Sequence, residues 1–310
     1  MINFSVLDKQ LINRIIEEAY HLLEETGVEV QCDELIERME KAGLPFNSEN
    51  NRITFPRSVV EQSIKSAPET IKLFDRNGGH FSTIGGNQTN FVPASSALNI
   101  LDWKTGERRN AQTSDFIEYI KVVDQTKHIA YPSTAFSTDD IPQDIADAWR
   151  LYMVMAHSDK PIVTGAFTHH GVPRMARMME CFRKNQNEMV EKPMAVFTCC
   201  PNSPLRWGID SSHNLIDCVE KGIIVEIVPV LMIGLAVPVT TVGSLVIQTA
   251  EVLSGVVFTQ LIRSGAPVIF GGAPGAFHMQ LMSAPMTGVE ALQLYCGYGQ
   301  IARHLKIPSQ

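Results

Sequence analysis

The stretch that decides the fold is "IIVEIVPVLMIGLAVPVTTVGSLVIQTAEVLSG", residues 223–255. From Ile223 to Val239 it holds 17 residues with a single charge, which is the lower limit of length for a membrane-spanning helix. However, Pro229 and Pro238 divide it into pieces of strand length, and Val and Ile dominate its first half. A strand that is covered by helices on both faces has such a continuous apolar sequence. We therefore predict a buried strand here and not a membrane span.

The same order of strand and then helix recurs from Ala111 onward. The predicted strands are 129–136, 161–167, 193–200, 223–230 and 267–272. The helices predicted to follow them are 144–159, 172–186, 204–221, 242–265 and 288–305. Successive strands begin roughly 30 residues apart, with one longer gap, and this is the period of a βαβ unit.

Right-handed crossovers in this rhythm build either an open doubly wound sheet or a TIM barrel. No G-x-G-x-x-G stands at a strand–helix turn, which disfavours the dinucleotide-binding form of the open sheet. We therefore predict an α/β fold of the TIM (β/α)8 type. A closed barrel needs eight strands, whereas the pattern supplies five before the sequence stops at Gln310. The prediction is thus a barrel that is incomplete at its C-terminal end, or one whose edge a partner chain closes.

The first 110 residues follow a different pattern, which predicts a helical α+β cap over 1–110 and a partial barrel over 111–310. The elements predicted in the cap are helices at about 8–26 and 33–42, a short helix near Pro56, a strand at 71–75 and a hairpin in 89–109. A Lys-Thr-Gly turn between strand-like arms indicates the hairpin. Thr113 or Ser114 is expected to cap the first helix after the joint.

Composition and charge exclude several classes of function. The net charge of −7 and the lack of a basic tract argue against nucleic acid as a partner. The N-terminal residues lack a signal pattern and are typical of an amphipathic helix. The six cysteines form no C-x-x-C pair, which indicates reduced thiols and a cytoplasmic location.

Several segments resemble the trimethylamine:corrinoid methyltransferase family, which includes the glycine betaine methyltransferases. The main one is "GLAVPVTTVGSLVIQTAEVLSG" (234–255), followed by "QLIRSGAPVIFGG", "GVEALQ" and "GQIARHLKIPS". The segments "EEAYHLLEETGVEV", "SAPETIKLFDRN" and "HSDKPIV" are also similar to the family. The family motif P-V-T-x-x-G…A-E-x-L-x-G falls on Pro238, Thr240, Gly243, Glu251 and Gly255, among others.

This resemblance implies a TIM barrel with an N-terminal extension and a specific reaction. A methyl group would move from trimethylamine or a quaternary amine, such as glycine betaine, to Co(I) of a corrinoid. The corrinoid (cobalamin) would be presented by a partner protein and not bound directly, and the chain would form a homo-oligomer in the cytoplasm. Family members that act on trimethylamine carry pyrrolysine, which is absent from these 310 residues. Members are also longer, so the chain is expected either to stop at an amber codon or to be shortened.

Removing a methyl group from a quaternary amine requires a closely fitting cavity, aromatic faces for the cation and an open mouth for the cobalt. In a barrel such a cavity lies at the C-terminal ends of the strands. The substrate-binding candidates there are Phe136, His169, Glu226, Phe270 and His278; no catalytic residue and no metal ligand is assigned.

Each candidate also has a purely structural interpretation. Glu226 lies in an apolar strand, so it either balances an ammonium substrate or forms a structural bond. His169 has a histidine neighbour, and only one of the two can point into the mouth. His278 lies in a glycine-rich loop that could form a lid, and both phenylalanines could belong to the core. In the motif, Thr240 fits a helix N-cap or an anion site, and Glu251 fits a bond to a neighbouring loop or a substrate contact.

Two further functions stay open at this point. A barrel metal-dependent hydrolase or lyase could collect histidines from different strands, although no H-x-x-x-H or H-E-x-x-H occurs. A fragment with five strands could also be non-catalytic and only bind a partner.

Overall fold

The computed structural model describes residues 5–93, 96–168 and 171–310. In this part of the chain helices alternate with short strands, which confirms the α/β class. The described helices are α1 Lys9–Glu25, α2 Asp33–Lys41, α3 Arg57–Ser66, α4 Thr113–Gln125, α5 Ala146–His157, α6 Gly171–Glu180, α7 Gln186–Glu191, α8 Ile209–Lys221, α9 Thr241–Ile262 and α10 Val289–Leu305.

The strands are short, between two and six residues. In chain order they are β1 Val28–Val30, β2 Phe46–Asn47, β3 Arg52–Ile53, β4 Thr70–Phe74, β5 His80–Gly85, β6 Asn99–Leu101, β7 Arg108–Asn110, β8 Ile162–Thr164, β9 Ala195–Cys199, β10 Arg206–Trp207, β11 Ile224–Ile227, β12 Met232–Ile233, β13 Val268–Phe270 and β14 Gly275–Ala276. Four of the five strands predicted in the repeat are confirmed as β8, β9, β11 and β13.

Contacts divide the chain into two compact units. Unit 1 comprises Met1–Thr70, Cys199–Val219 and Val225–Gln310, and unit 2 comprises Ile71–Thr198 and Glu220–Ile224. The domains predicted from the sequence, 1–110 and 111–310, stay a prediction.

The core of unit 1 is formed around α9, which packs against α1, α3 and α10. Every side chain from Gln248 to Gln260 is buried. The helix is long and apolar enough to cross a membrane, but 78% of its most apolar window is buried inside the protein. A helix that is apolar on all sides is expected wherever it is enclosed by other elements, so length and hydropathy alone do not identify a membrane span.

The strands of unit 1 form several small sheets. One has the order β10-β1-β3-β2, and β12 pairs in parallel with β14. In a further parallel pair, β11 lies beside β13 with Glu226 opposite Ile269 and Ile227 opposite Phe270. The last residues of the chain continue this arrangement, because Ser309 forms a parallel bridge with Phe270 on the other side of β13.

Unit 2 holds the predicted hairpin and one parallel strand pair. Strands β6 and β7 pair antiparallel around the Lys-Thr-Gly turn, which confirms the hairpin. Strand β8 pairs in parallel with β9, with Ile162 opposite Ala195 and Thr164 opposite Phe197. Helices α4 and α5 pack against each other in the same unit.

Three local predictions differ from the structure. Residues 129–136 run parallel to β8 through a single bridge, Ser133 with Val163, and do not form a regular strand. Pro132 contributes to this because it has no N–H to donate. The helix predicted over 172–186 ends at Glu180, and Asn185 caps a separate helix α7 by accepting from the Glu188 N–H. Helix α4 is capped one residue earlier than predicted, at Gln112.

Candidate functional site

The candidate site lies in unit 1, where β11 and β13 end. The Ile227 side chain faces α9, because a methyl group placed on Gly255 would lie 2.8–3.0 Å from three Ile227 side-chain atoms. Consecutive residues of a strand point to opposite faces, so Glu226 lies on the face away from α9. The residue is 2% exposed. The strand therefore holds a carboxyl group inside the protein.

The last residue of the chain contacts this carboxyl group. The backbone N–H of Gln310 donates to the Phe270 carbonyl oxygen at 3.2 Å, and the Phe270 N–H donates to Pro308 at 2.8 Å. The Gln310 side-chain amide is oriented with its nitrogen toward Glu226, because only this orientation faces a donor toward the carboxylate. The nitrogen then donates to both carboxylate oxygens, at 3.0 Å for Oε2. The parallel run beside β13 thus brings Gln310 to Glu226.

Tyr298 of α10 is a second group beside Glu226. Its hydroxyl lies 2.6 Å from the Gln310 carbonyl oxygen and 3.2 Å from that of Gly272, and it donates to them. The ring stacks on Phe270 at a centroid distance of 6.2 Å. Burial, and then the nearby Glu226 carboxylate, raise the pKa of Tyr298. The phenol therefore stays protonated and keeps its role as a hydrogen-bond donor.

Gln248 of α9 lies at the end of β13. Its side-chain nitrogen donates to the Gly271 carbonyl oxygen at 3.3 Å. Its Oε1 is buried and has no hydrogen-bond partner among the described residues. A side chain on Gly272 would collide with the Gln248 amide. Glycine at this position therefore allows Gln248 to approach the end of β13.

Glu226, Tyr298 and Gln310 are called the Glu226 cluster below. A buried carboxylate favours a cation over an anion at this place. Sequence reasoning identified Glu226 and missed the other two, as well as Gln248. Gln248 carries a signal that could have been used, since it is a polar residue within an apolar helical sequence.

Residues of the family motif lie at the start of α9 and at its contact with the sheet. Thr240 is the N-cap, as predicted, and its hydroxyl accepts from the Gly243 N–H at 3.3 Å. Pro238 closes the same turn, because its carbonyl oxygen accepts from the Ser244 hydroxyl at 2.8 Å. Gly243 leaves little room for a side chain, since a methyl group there would lie 2.8 Å from Thr240 Oγ1.

Glu251 holds a loop. Its carboxylate accepts from the Ser203 hydroxyl at 2.7 Å and from the Leu205 N–H at 2.6 Å. The residue is fully buried, and burial raises its pKa to about 7, although the two hydrogen bonds act in the opposite direction. These contacts agree with the predicted bond to a neighbouring loop.

The remaining candidates are distributed over the two units. In unit 2, Phe136 packs edge-on against Phe116 and Tyr119 at centroid distances of 5.2 and 5.6 Å, in the core of that unit. In unit 1, Phe270 is fully buried next to the Glu226 cluster. His278 is exposed, and its Nδ1 accepts from the N–H of Leu281 within its own loop.

His169 lies outside the described residues. No group of three or more His, Cys, Asp or Glu side chains that could hold a metal ion occurs in 5–93, 96–168 and 171–310. The metal-dependent alternative therefore has no supporting cluster in that part of the chain.

Comparison with known sequences identifies the family. The sequence model of the trimethylamine methyltransferase (MTTB) family matches residues 1–310. The chain is 25% identical over 288 residues to the trimethylamine methyltransferase MttB of Desulfitobacterium hafniense, covering 93% of this chain and 58% of that protein. It is 27% identical over 308 residues to a glycine betaine methyltransferase from the same species, covering 99% and 64%. A proline betaine:corrinoid methyltransferase of Eubacterium limosum is 24% identical over 319 residues, with 99% and 65% covered.

The chain thus spans about three fifths of the length of these relatives. Among solved structures, it is similar to the monomethylamine methyltransferase MtmB of Methanosarcina barkeri, with a TM-score of 0.64 and 9% identity over 98% of this chain and 61% of that one. A structure of an MtmB complex with hydroxylamine gives a TM-score of 0.66 at 10% identity, covering 99% and 61%. This likeness concerns the fold. Because the family model matches the whole sequence, the chain belongs to the trimethylamine methyltransferase (MTTB) family.

Proposed function

We propose that the protein transfers a methyl group from trimethylamine, or from a quaternary amine such as glycine betaine, to the Co(I) corrinoid of a partner protein. The observation that carries this proposal is the family match over residues 1–310. Trimethylamine, glycine betaine and proline betaine stand in the names of the relatives, and one name includes the corrinoid. The activity is proposed for the whole protein, because the matched relatives are longer than this chain by about two fifths of their own length.

The Glu226 cluster supplies a chemical basis for cation binding. When the methyl group leaves a quaternary ammonium, the electron pair of the C–N bond stays on nitrogen and the amine departs neutral. No proton donor is needed for this leaving group, and the same holds for trimethylamine when it binds as the trimethylammonium ion, which leaves as neutral dimethylamine. A buried carboxylate attracts the ammonium ion strongly because little water screens it, and the Gln310 amide fixes the orientation of Glu226.

We further propose a partial (β/α) barrel over 111–310 with a cap over 1–110. The parallel pairs β8/β9 and β11/β13 support it, as does the parallel run of the chain end beside β13. In the barrel, the Glu226 cluster would lie near the C-terminal ends of the strands, where substrates bind. We also propose that the corrinoid protein and the amine are the partners, that no cofactor is bound directly, and that the protein is a cytoplasmic homo-oligomer.

Calorimetric titration of the protein with trimethylamine and glycine betaine tests the amine assignment. We expect Glu226→Gln to weaken the binding of either cation about 10- to 100-fold, because a charge-assisted contact is lost. Glu69→Gln is a matched control, since Glu69 is exposed and pairs with Lys306 at 3.1 Å; it should bind like the unmodified protein. Absence of binding by the unmodified protein to both amines would contradict the proposal.

The reaction is tested by adding the partner corrinoid protein in its Co(I) state and following the cobalt spectrum. Amine-dependent conversion to methyl-Co(III) is the expected result. Conversion that is equally fast without amine would refute the assigned reaction.

A further inference from the structure

Unit 2 contains a buried arginine with few partners. Arg150 lies in α5 and is 1% exposed. In the described part of the chain its guanidinium forms one hydrogen bond, from Nη1 to the Thr134 carbonyl oxygen, and this bond is long at 3.4 Å. The Nε atom is buried and has no partner among these residues. Burial of a cation is costly unless its donors are satisfied, so the site has unused binding capacity for an acceptor.

The nearest carboxylate is already engaged elsewhere. Asp147, one turn before Arg150 on α5, accepts from the Thr168 hydroxyl at 2.8 Å and from Arg174 Nη2 at 3.1 Å. It also accepts from two backbone N–H groups. Asp147 attracts Arg150 through space, but burial dominates and lowers the pKa of Arg150 to about 10. Asp147 is thus hydrogen-bonded to Arg174, whereas Arg150 makes no such bond to it in the described part of the chain.

Among the described residues, the ring of Phe167 stacks on the guanidinium. The Arg150 guanidinium carbon lies 4.6 Å from the centroid of the Phe167 ring, a cation–π contact. Phe167 is itself 58% exposed, so the part of its ring that faces away from Arg150 contacts solvent. The ring that stacks on the guanidinium is therefore itself at the protein surface.

Hydroxyl groups adjoin the same place. Thr134, whose carbonyl oxygen accepts from Arg150, pairs its hydroxyl with that of Thr164 at 3.3 Å. Both threonines are buried, and their segments run parallel through the bridge between Ser133 and Val163. Arg150 itself thus provides a charge and a fork of N–H groups in a polar part of unit 2.

We propose that Arg150 anchors a binding site for a small carboxylate, which pairs with the guanidinium when the Phe167 ring moves aside. The planar fork of arginine matches the two oxygens of a carboxylate. The site itself does not depend on the proposed function. Two sources share this chemistry, a free carboxylate and an N-methylated amino acid of the betaine class bound at this place in unit 2, and the second rests on the methyltransferase proposal.

Isothermal titration calorimetry at constant ionic strength tests the site with acetate and glycine betaine as probes. We expect both probes to bind, and Arg150→Met to weaken their binding about 10- to 100-fold, the range of a charged hydrogen bond. Glycine betaine that binds at least about tenfold more tightly than acetate identifies the betaine class; equal affinities identify a free carboxylate. No binding of either probe, or equal binding by Arg150→Met, overturns the proposal.

Two measurements separate this role from a structural one. Replacing a buried, poorly paired cation by an apolar side chain is often neutral or stabilising, so Arg150→Met should melt at the same temperature or higher. A structural arginine would instead give a lower melting temperature and unchanged carboxylate binding. Phe167→Ala keeps the guanidinium and removes its cover, so it should bind acetate at least as tightly; weaker binding would count against the site.

The outcomes also distinguish this site from the proposed function. Carboxylate binding that is lost in Arg150→Met, in a protein without methyl transfer to the corrinoid, would keep the site and reject the function. Methyl transfer to the corrinoid, together with affinities for acetate and glycine betaine that Arg150→Met leaves unchanged, would keep the function and reject the site.

Discussion

Substitution of Glu251 by Gln should change how the stability of the protein depends on pH. Glu251 is fully buried in α9 and accepts two hydrogen bonds, from the Ser203 hydroxyl and the Leu205 N–H. Burial raises its pKa from 4.5 to about 7. Glutamine has nearly the same shape and does not titrate; its oxygen can accept from the Leu205 N–H while its amide nitrogen donates to the Ser203 hydroxyl oxygen.

The sign of the effect follows from proton linkage. Between pH 4.5 and about 7 the folded protein holds a proton on Glu251 that the unfolded chain has lost. A group whose folded pKa is raised in this way destabilises the fold progressively as the pH rises through that window. At about 1.4 kcal/mol per pKa unit, the full effect is about 3 kcal/mol above pH 7. It disappears below pH 4.5, where both states are protonated.

Urea denaturation followed by circular dichroism measures this effect. The free energy of unfolding of Glu251→Gln, minus that of the unmodified protein, should grow by about 2–3 kcal/mol between about pH 5 and about pH 8. Ser203→Ala removes one of the donors that oppose protonation, so it should move the transition to higher pH. A difference between Glu251→Gln and the unmodified protein that is constant over this range would refute the reasoning from burial.

Three further substitutions test the packing in unit 1 by urea denaturation. Gly255→Ala should destabilise the fold by about 1–3 kcal/mol, because the new methyl group would meet Ile227 at 2.8–3.0 Å; unchanged stability would contradict the close approach of α9 to β11. Gly299→Ala is the matched control in α10, where a methyl group meets nothing within 4 Å, and it should be neutral or up to about 1 kcal/mol stabilising. Thr240→Ala removes the N-cap of α9 and should cost about 1 kcal/mol, an effect that Thr240→Ser should restore. Tyr298→Phe loses the hydrogen bonds to the Gln310 and Gly272 carbonyl oxygens and should cost about 1 kcal/mol or more; a variant as stable as the unmodified protein would argue against these bonds.

The candidate site was only partly predictable from the sequence. Glu226 was recognised because a single carboxylate in an apolar strand must have a partner. Gln310 and Tyr298 lie 84 and 72 residues further along the chain, and no local pattern connects them to Glu226. Arg150 was missed, although a charged residue on the apolar face of α5 was a usable signal.

The sequence by itself determined the longer helices, four of the five strands of the repeat and the family, because these depend on local periodicity and on motifs that can be read along the chain. It also indicated Thr240 as a cap of α9, beside an anion site as the alternative. Irregularities such as the isolated bridges of residues 129–136, of which one is formed with β8, came from tertiary pairing. Only the tertiary structure decided which polar groups meet inside the protein and which, such as Gln248 Oε1 and Arg150 Nε, find no partner among the described residues. The physical reason is that such contacts depend on the packing of distant segments, whereas the hydrophobic pattern specifies only which face of each element is buried.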